Sequence, residues 1–338
     1  MTITIAIKAY NEQEHIAAAL ESALLVSERL SGRVVLADSA STDATVDIAS
    51  RYPVQILQMT DGDRRSCGAA AQLAFQGVDT PYFYLMDGDM RLDETFIAEA
   101  LEWLDAHPDC AGVGGAVVET LLANPEFKIR NKAMGREHHR RTGLVDRLDG
   151  GGLYRTNAIR EAGYFAHQAL KSYEEFDLAA RLQARGWRLA RLPVRAVEHT
   201  GHKKSGFAML RFRFSSGQMG GAGAVLRAAL GEPHLGFVLK HLTQLRVFLT
   251  ILVWWIALPV ALLTGGALVA LAMLLAPLGF LALRRKSVHL GAYSFVYWNL
   301  CTLASLHSLM TRQPRPHPVA FREIKSIPIT SGSVRKSH

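Results

Sequence analysis

Cysteine is scarce in this chain of 338 residues, which has only Cys67, Cys110 and Cys301. An odd number without metal-site spacing excludes a disulfide framework and a zinc cluster, and it fits a reducing compartment. A secretory leader is not expected either, because Met1 to Ala9 reads as a short β-rich run that meets a turn at Tyr10-Asn11. The N-terminal part is therefore expected to stay in the cytoplasm. No internal repeat or low-complexity tract is present, which argues against a solenoid. The most informative absence is of charge: Val247 to Leu283 carries none over 37 residues, roughly twice the ~20 needed to cross a bilayer.

The charge that is present has one dominant sign. A formal net charge of +8 fits nucleic acid, an anionic membrane surface or anionic small substrates. Position decides against nucleic acid, because basic residues gather in Lys203 to Arg246, in Arg284-Arg285-Lys286 and in Arg312 to Lys336, all beside apolar segments. The uncharged run is expected to form a transmembrane hairpin over 246–286 that turns at Gly265-Gly266, with both basic ends on the cytoplasmic side. Residues 205–245 read as an interfacial amphipathic segment, and 287–311 as an interfacial helix in preference to a third span. The basic, proline-bearing tail of 312–338 reads as disordered.

Residues 1–204 have a different pattern. Short apolar runs at 2–9, 33–37, 53–58 and 81–86 alternate with helical patterns around 13–29, 43–51, 66–77 and 93–106. This predicts an α/β, Rossmann-like domain whose mostly parallel sheet is flanked by helices. Ligands of such sheets bind at the carboxyl ends of the strands.

Several polar groups sit at those ends. Asp87-Gly88-Asp89 follows the strand Tyr82 to Met86; two acids so spaced can gather a hard divalent cation, although Asp-Gly is also a hairpin signal. Asp38, which opens Asp38-Ser39-Ala40-Ser41-Thr42-Asp43, can accept hydrogen bonds from a base or ribose, and helix capping accounts for its neighbours but not for it. Tyr10 and Glu12 can bracket a nucleoside. In Ser172-Tyr173-Glu174-Glu175-Phe176-Asp177, Glu175 fits either a capping box begun by Ser172 or a general base, and Asp177 can pair with Arg181. His199 ends a strand-like run, and its imidazole suits Mn-like metals, while a structural role is the commoner fate of a lone histidine.

Taken in order, these segments resemble the inverting family 2 glycosyltransferases of GT-A fold. The resemblance covers about the first 200 residues. It rests on Ile5 to Glu12, the Asp-Ser-x-Ser-x-Asp-x-Thr run of Asp38 to Thr45, and Asp87-Gly88-Asp89. Gly150-Gly151-Gly152-Leu153-Tyr154-Arg155, Gly163-Tyr164-Phe165, Glu174 to Leu178 with Arg181, Gly186-Trp187 and His199 complete it. It implies a GT-A catalytic domain in which Ala9, Tyr10, Glu12, Asp38, Ser39, Arg65 and Asp87 hold the nucleotide. Asp89 and His199 would hold Mn2+ or Mg2+, Glu175 would be the catalytic base, and Gly151, Gly152 and Glu174 would lie beside the sugar or acceptor. A UDP-sugar donor is favoured, because a carboxylate at Asp38 can accept the uracil N3 proton.

Glu175 stands where the family commonly has Asp, and Ala69, Ala74 and Gln76 replace expected donor contacts. Arg211-Phe212-Arg213-Phe214 stands where processive members carry Gln-x-x-Arg-Trp, which disfavours a processive polysaccharide synthase. A nucleotidyltransferase would need a Gly-rich basic loop where Ala9 to Glu14 has none, and the intact acidic set argues against a non-catalytic membrane scaffold. The expectation is a multi-pass enzyme of the inner membrane, its catalytic domain facing the cytoplasm. It would use a lipid or saccharide acceptor in cell-envelope or exopolysaccharide synthesis.

Overall fold

A computed structural model describes residues 2–60, 65–120, 138–200 and 206–326, the side chain of His138 excepted. Gly201, His202 and Lys203, together with the tail after residue 326, lie outside the described residues. The chain opens with the expected alternation of β1 (Ile3–Ala9), α1 (Ile16–Arg29), β2 (Arg33–Asp38), α2 (Thr45–Ala49), β3 (Gln55–Met59), α3 (Cys67–Phe75) and β4 (Tyr82–Asp87). Then come β5 (Met90–Leu92), α4 (Phe96–Ala106), β6 (Cys110–Glu119), β7 (Gly143–Val145), β8 (Gly152–Arg155), α5 (Thr156–Glu161), α6 (Glu174–Gln183) and β9 (Arg188–His199). Residues 90–92, between the strand pattern at 81–86 and the helical pattern at 93–106, form β5, which pairs with β9 instead of returning along β4. The turn at Asp87-Gly88-Asp89 is thus not a hairpin.

With a last strand β10 (Phe321–Lys325), the described strands form one sheet in the order β10-β3-β2-β1-β4-β8-β6-β9-β5, with β7 beside β9. It is parallel across β3, β2, β1 and β4. Beyond β4 it is mixed, since β8 is antiparallel to β4 and β6 while β6 and β9 are parallel. The period-2 pattern of β1 explains its two-sided burial. Ile3, Ile5 and Ile7 enter the core under α1 and α4, whereas Ala6 joins the opposite core with α3 and α6 residues. Each fully buried isoleucine contributes roughly 1.5–3 kcal/mol.

The C-terminal part begins with α7 (Gly206–Ser215), α8 (Gly221–Ala229) and α9 (Leu235–His241). Next, α10 (Gln244–Thr264) and α11 (Gly266–Arg285) meet at Gly265-Gly266; both are long and apolar enough to cross a membrane. Their large side chains face outward, with Leu263 85%, Leu268 82% and Leu283 81% exposed, so they are not core helices. By contrast, α12 (Val288–Met310) buries Gly291, Ser294, Cys301, Thr302 and Ser305. Its last turns meet glycines before and within α8 so closely that a Cβ on Gly223 would strike the Ser305 carbonyl.

One expectation is corrected here. Residues 321–325, read as part of a disordered tail, form β10 (Phe321–Lys325), antiparallel to β3. β3 is otherwise an open sheet edge, and an unpaired row of N–H and C=O groups can template a short segment that has no strong strand signal of its own.

Candidate active site

Three strand ends converge. In register, Ala9 lies beside Asp38 and Lys8 beside Asp87. The loops that follow are stitched together: Ser39 N–H donates to the Ala9 carbonyl, Asn11 N–H to Ser41 Oγ, Glu12 N–H to Thr45 Oγ1 and Thr42 N–H to Asn11 Oδ1. Asn11, which makes two of these bonds through its N–H and its Oδ1, holds a left-handed φ of 56°. Gly88 packs tightly here, since a Cβ there would press on the Glu12 and Ala9 side chains at 3.1 and 3.2 Å. At the rim the Arg65 guanidinium stacks over the Tyr10 ring, 4.5 Å from its centroid.

Asp38 is fully buried. Its Oδ2 accepts from Ser41 N–H at 3.0 Å and from Gln58 Nε2 at 2.8 Å, while Oδ1 has no hydrogen-bond partner among the described residues. A buried carboxylate oxygen left open is costly unless something supplies a donor. Helix capping has no use for it, because Asp43 bonds Thr45 N–H near the start of α2.

The β5–β9 ladder sets Met90 opposite His199, and the β6–β9 ladder sets Glu119 opposite His199. His199 thereby lies with Nε2 3.2 Å from Asp89 Oδ2 and Nδ1 2.8 Å from Glu119 Oε2. Burial alone would lower the imidazole's pKa, but its bonds to Asp89 and Glu119 outweigh that and push it up to about 10. Glu12 moves the same way for another reason: burial, then the charges of Asp89 and Asp87, push it up to about 8. Among the described residues no three His, Cys, Asp or Glu side chains stand together as a ready metal cage. The donor set nevertheless fits a hard divalent cation, which suits carboxylate oxygens and imidazole and would relieve the mutual repulsion of Glu12, Asp87 and Asp89. A Glu119 bond on Nδ1 is what orients a histidine to offer Nε2.

Across the cleft, α6 starts at Glu174 after Tyr173, whose φ of 68° is left-handed. Ser172 is not its cap, because the Ser172 hydroxyl donates instead to the Gln218 carbonyl. Glu175 therefore does not occupy the capping-box position, and that rival reading falls away. Glu174 is buried and 3.1 Å from Lys8 Nζ, which also lies 3.1 Å from Asp87 Oδ1. Lys8 stays protonated because these two carboxylates overcome its desolvation. Glu175 is half-buried, and its carboxyl is pushed up to about 8 by burial and by Glu174, against the pull of Lys8. Gly151 and Gly152 act through what they lack. A Cβ on Gly151, at φ 99°, would meet Tyr84 Oη at 2.8 Å, and one on Gly152 would meet Tyr154 at 2.9 Å, so both let the chain pass close to these tyrosines as it enters β8.

Most of the residues singled out in the sequence meet in this cleft. Lys8, Gln58 and Glu119 were not singled out. A lysine inside an otherwise apolar strand is a signal that could have exposed Lys8; Gln58 and Glu119 carry none, since their partners lie on other strands.

A sheet parallel in its N-terminal half, with acids at the strand ends and a carboxylate-bearing helix opposite, is the architecture of the GT-A fold. Residues 4–163 match the family model described as Glycosyl transferase family 2. The Succinoglycan biosynthesis protein ExoA of Rhizobium meliloti (strain 1021) is 27% identical over 176 residues, 51% of this chain and 50% of that protein. The chain thus spans about half the length of that curated relative. Among solved structures, the fold is similar to that of mannosyltransferase PcManGT from Pyrobaculum calidifontis, solved with GDP-Man and Mn2+ (TM-score 0.64, 19% identity, 90% of this chain and 86% of that one). It is also similar to TarS 1-349 from S. aureus, solved with UDP-GlcNAc (TM-score 0.52, 16% identity, 88% and 92%).

Proposed function

We propose that this chain transfers a sugar, with inversion, from a nucleoside-diphosphate sugar to a hydroxyl on a lipid or lipid-linked acceptor at a membrane surface. The observation that supports the reading is a pair of carboxyl groups, one with a buried oxygen left open and one of raised pKa. Asp38 Oδ1 is a buried acceptor awaiting a donor N–H, and Glu175 is a half-buried carboxyl of raised pKa facing the opposite side.

Each residue then has a task. Asp38 accepts from the base and Tyr10 flanks the nucleoside. Asp89 and His199 would hold a divalent cation, with Asp87 and Glu12 beside it. When bound, that cation neutralises charge on the diphosphate. Glu175 takes the proton of the acceptor hydroxyl as its oxygen attacks the anomeric carbon and the bond to the nucleoside diphosphate breaks. Lys8 and Arg65 add positive charge around the leaving group. PcManGT with GDP-Man and Mn2+, and TarS with UDP-GlcNAc, lend support from the same fold. ExoA lends support to an exopolysaccharide setting.

The membrane reading draws on α10 and α11 as two antiparallel spans. What supports two spans over three is that both ends of α12 lie on the catalytic domain's side. Phe207 stacks against His289 and Tyr293 near its start, Gln313 Nε2 donates to the Ala224 carbonyl just past its end, and β10 then joins the catalytic sheet. Arg246 and Arg284-Arg285-Lys286 flank the spans at one end, which supports a catalytic domain on the cytoplasmic side.

The test is release of nucleoside diphosphate from a panel of UDP- and GDP-sugars, using purified protein in lipid with Mn2+ or Mg2+ and polyprenyl-linked acceptors. No release with any donor in either metal would sink the proposal, and release of inorganic diphosphate would indicate nucleotidyl transfer.

A further inference from the structure

We propose that Arg322, on the C-terminal strand β10, is a positioning residue of the donor site, fixing through Gln58 which oxygen of Asp38 is left free for the nucleobase. The inference rests on the reading of Asp38 as the base contact.

The argument is one of hydrogen-bond direction. A guanidinium only donates. Arg322 Nε lies 2.9 Å and Nη2 2.5 Å from Gln58 Oε1, so the oxygen of that amide must face Arg322. The amide nitrogen then faces inward, where Nε2 donates to Asp38 Oδ2 at 2.8 Å. Gln58 is buried, at 7% exposure, and cannot exchange these partners freely with water. Oδ2 also takes the Ser41 N–H, and Oδ1 is therefore the acceptor left open. Were the amide reversed, its oxygen would oppose a carboxylate and its nitrogen a guanidinium, two repulsive contacts in a shielded place.

The strand is held firmly enough to do this. Register sets Arg322 opposite Gln58. Ahead of it, Gln76 Nε2 donates to the Val319 carbonyl and Val319 N–H returns the bond to Gln76 Oε1, and Thr60 N–H donates to the Ala320 carbonyl. Behind it, Lys325 Nζ donates to the carbonyls of Ser50 and Tyr52. β10 lies after the two apolar helices and α12, so the segment that returns from the membrane-proximal part completes the donor pocket. Gln76, a departure from the family pattern at the end of α3, is employed in the same anchoring.

The experiment uses the full chain in lipid, with UDP, or GDP if the wild type prefers it, as the probe in the presence of Mn2+. Arg322→Met keeps the aliphatic stem and removes the donors. It should weaken nucleotide binding roughly three- to tenfold, the range of one supported hydrogen bond. The donor KM should rise in proportion while kcat changes less than about twofold, and Arg322→Lys should recover part of the loss. Gln58→Met leaves the β10 backbone paired and should reproduce the effect, which guards against Arg322→Met loosening the strand. Inorganic pyrophosphate, which has no base, should bind wild type and both variants alike; a merely structural role would weaken both probes together and overturn the proposal. Asp38→Asn separates the two levels. If it loses nucleotide while Arg322→Met and Gln58→Met bind normally, the positioning role is wrong and the base contact stands. If Asp38→Asn itself binds normally, the base contact is wrong and the positioning role falls with it.

Discussion

Lys8 Nζ lies 3.1 Å from Glu174 Oε1, 166 positions later in the chain, and joins the strand ends of the donor side to the helix that presents Glu175. Because Lys8 also pairs with Asp87, one ammonium group spans the cleft and sets the charge that both sides experience.

Lys8→Met removes that charge while keeping an unbranched apolar stem. Two carboxylates, one of them buried, then lose their partner, and breaking such a pair costs about 3–5 kcal/mol in buried settings. Since Asp87 is partly exposed, the lower end is expected, read as a fall in melting temperature of the purified protein. Lys8 also holds Glu175 down, so the pH–activity profile should shift to higher pH. An unshifted profile would mean that Glu175 does not sense Lys8.

Glu175→Gln should lose at least about a hundredfold in transfer, the lower range for a general base, while donor binding is retained. The free enzyme's kcat/KM should rise with pH through about 8, since below that Glu175 holds its proton and cannot accept another. Stability carries the opposite sign. The folded pKa lies above the ordinary value of 4.5, so the folded state binds more protons than the unfolded one between roughly 4.5 and 8, and stability falls as pH rises through that window. Above it, Glu175→Gln should melt no lower than the wild type, and higher if burial dominates. A near-normal rate would move the base to another residue.

Asp89→Asn should abolish metal-dependent turnover with the fold intact. It also removes one of the two carboxylates that hold His199 protonated, so the His199 pKa should fall, measurable by NMR of the labelled ring in the metal-free protein. Mn2+ affinity, read by electron paramagnetic resonance, should drop in parallel. Unchanged affinity would dismiss Asp89 as a ligand.

The topology can be checked by cysteine labelling from outside intact cells, on a background lacking Cys67, Cys110 and Cys301. A probe at Gly265 should react, and probes at Ser287 and Ser326 should not. Labelling at Ser326 but not at Ser287 would show that α12 crosses as a third span and that β10 cannot pair with β3 in the cell.

What the sequence by itself determined was whatever is local in the chain. The period-2 run of β1 predicts burial on both faces, and Asp87-Gly88-Asp89 marks a strand end rich in acid. The 37 uncharged residues from Val247 to Leu283 dictate two long apolar helices with a break at Gly265-Gly266. Glu175 could also be found in this way, because its motif is contiguous, but whether it closed a capping box could not, since that was decided by the Gln218 carbonyl, which takes the Ser172 hydroxyl from 46 positions away, and by the left-handed φ of Tyr173. Tertiary structure decided every relationship that crosses strands. Glu119 meets His199 through the β6–β9 register across 80 positions, Lys8 meets Glu174 across 166, and Arg322 meets Gln58 across 264. The physical reason is common to all three: a side chain's periodicity reveals which face it occupies, whereas its neighbour depends on strand order and register. Phe321 to Lys325 shows this most plainly, for a charged five-residue segment becomes a strand only once β3 offers it an unpaired edge.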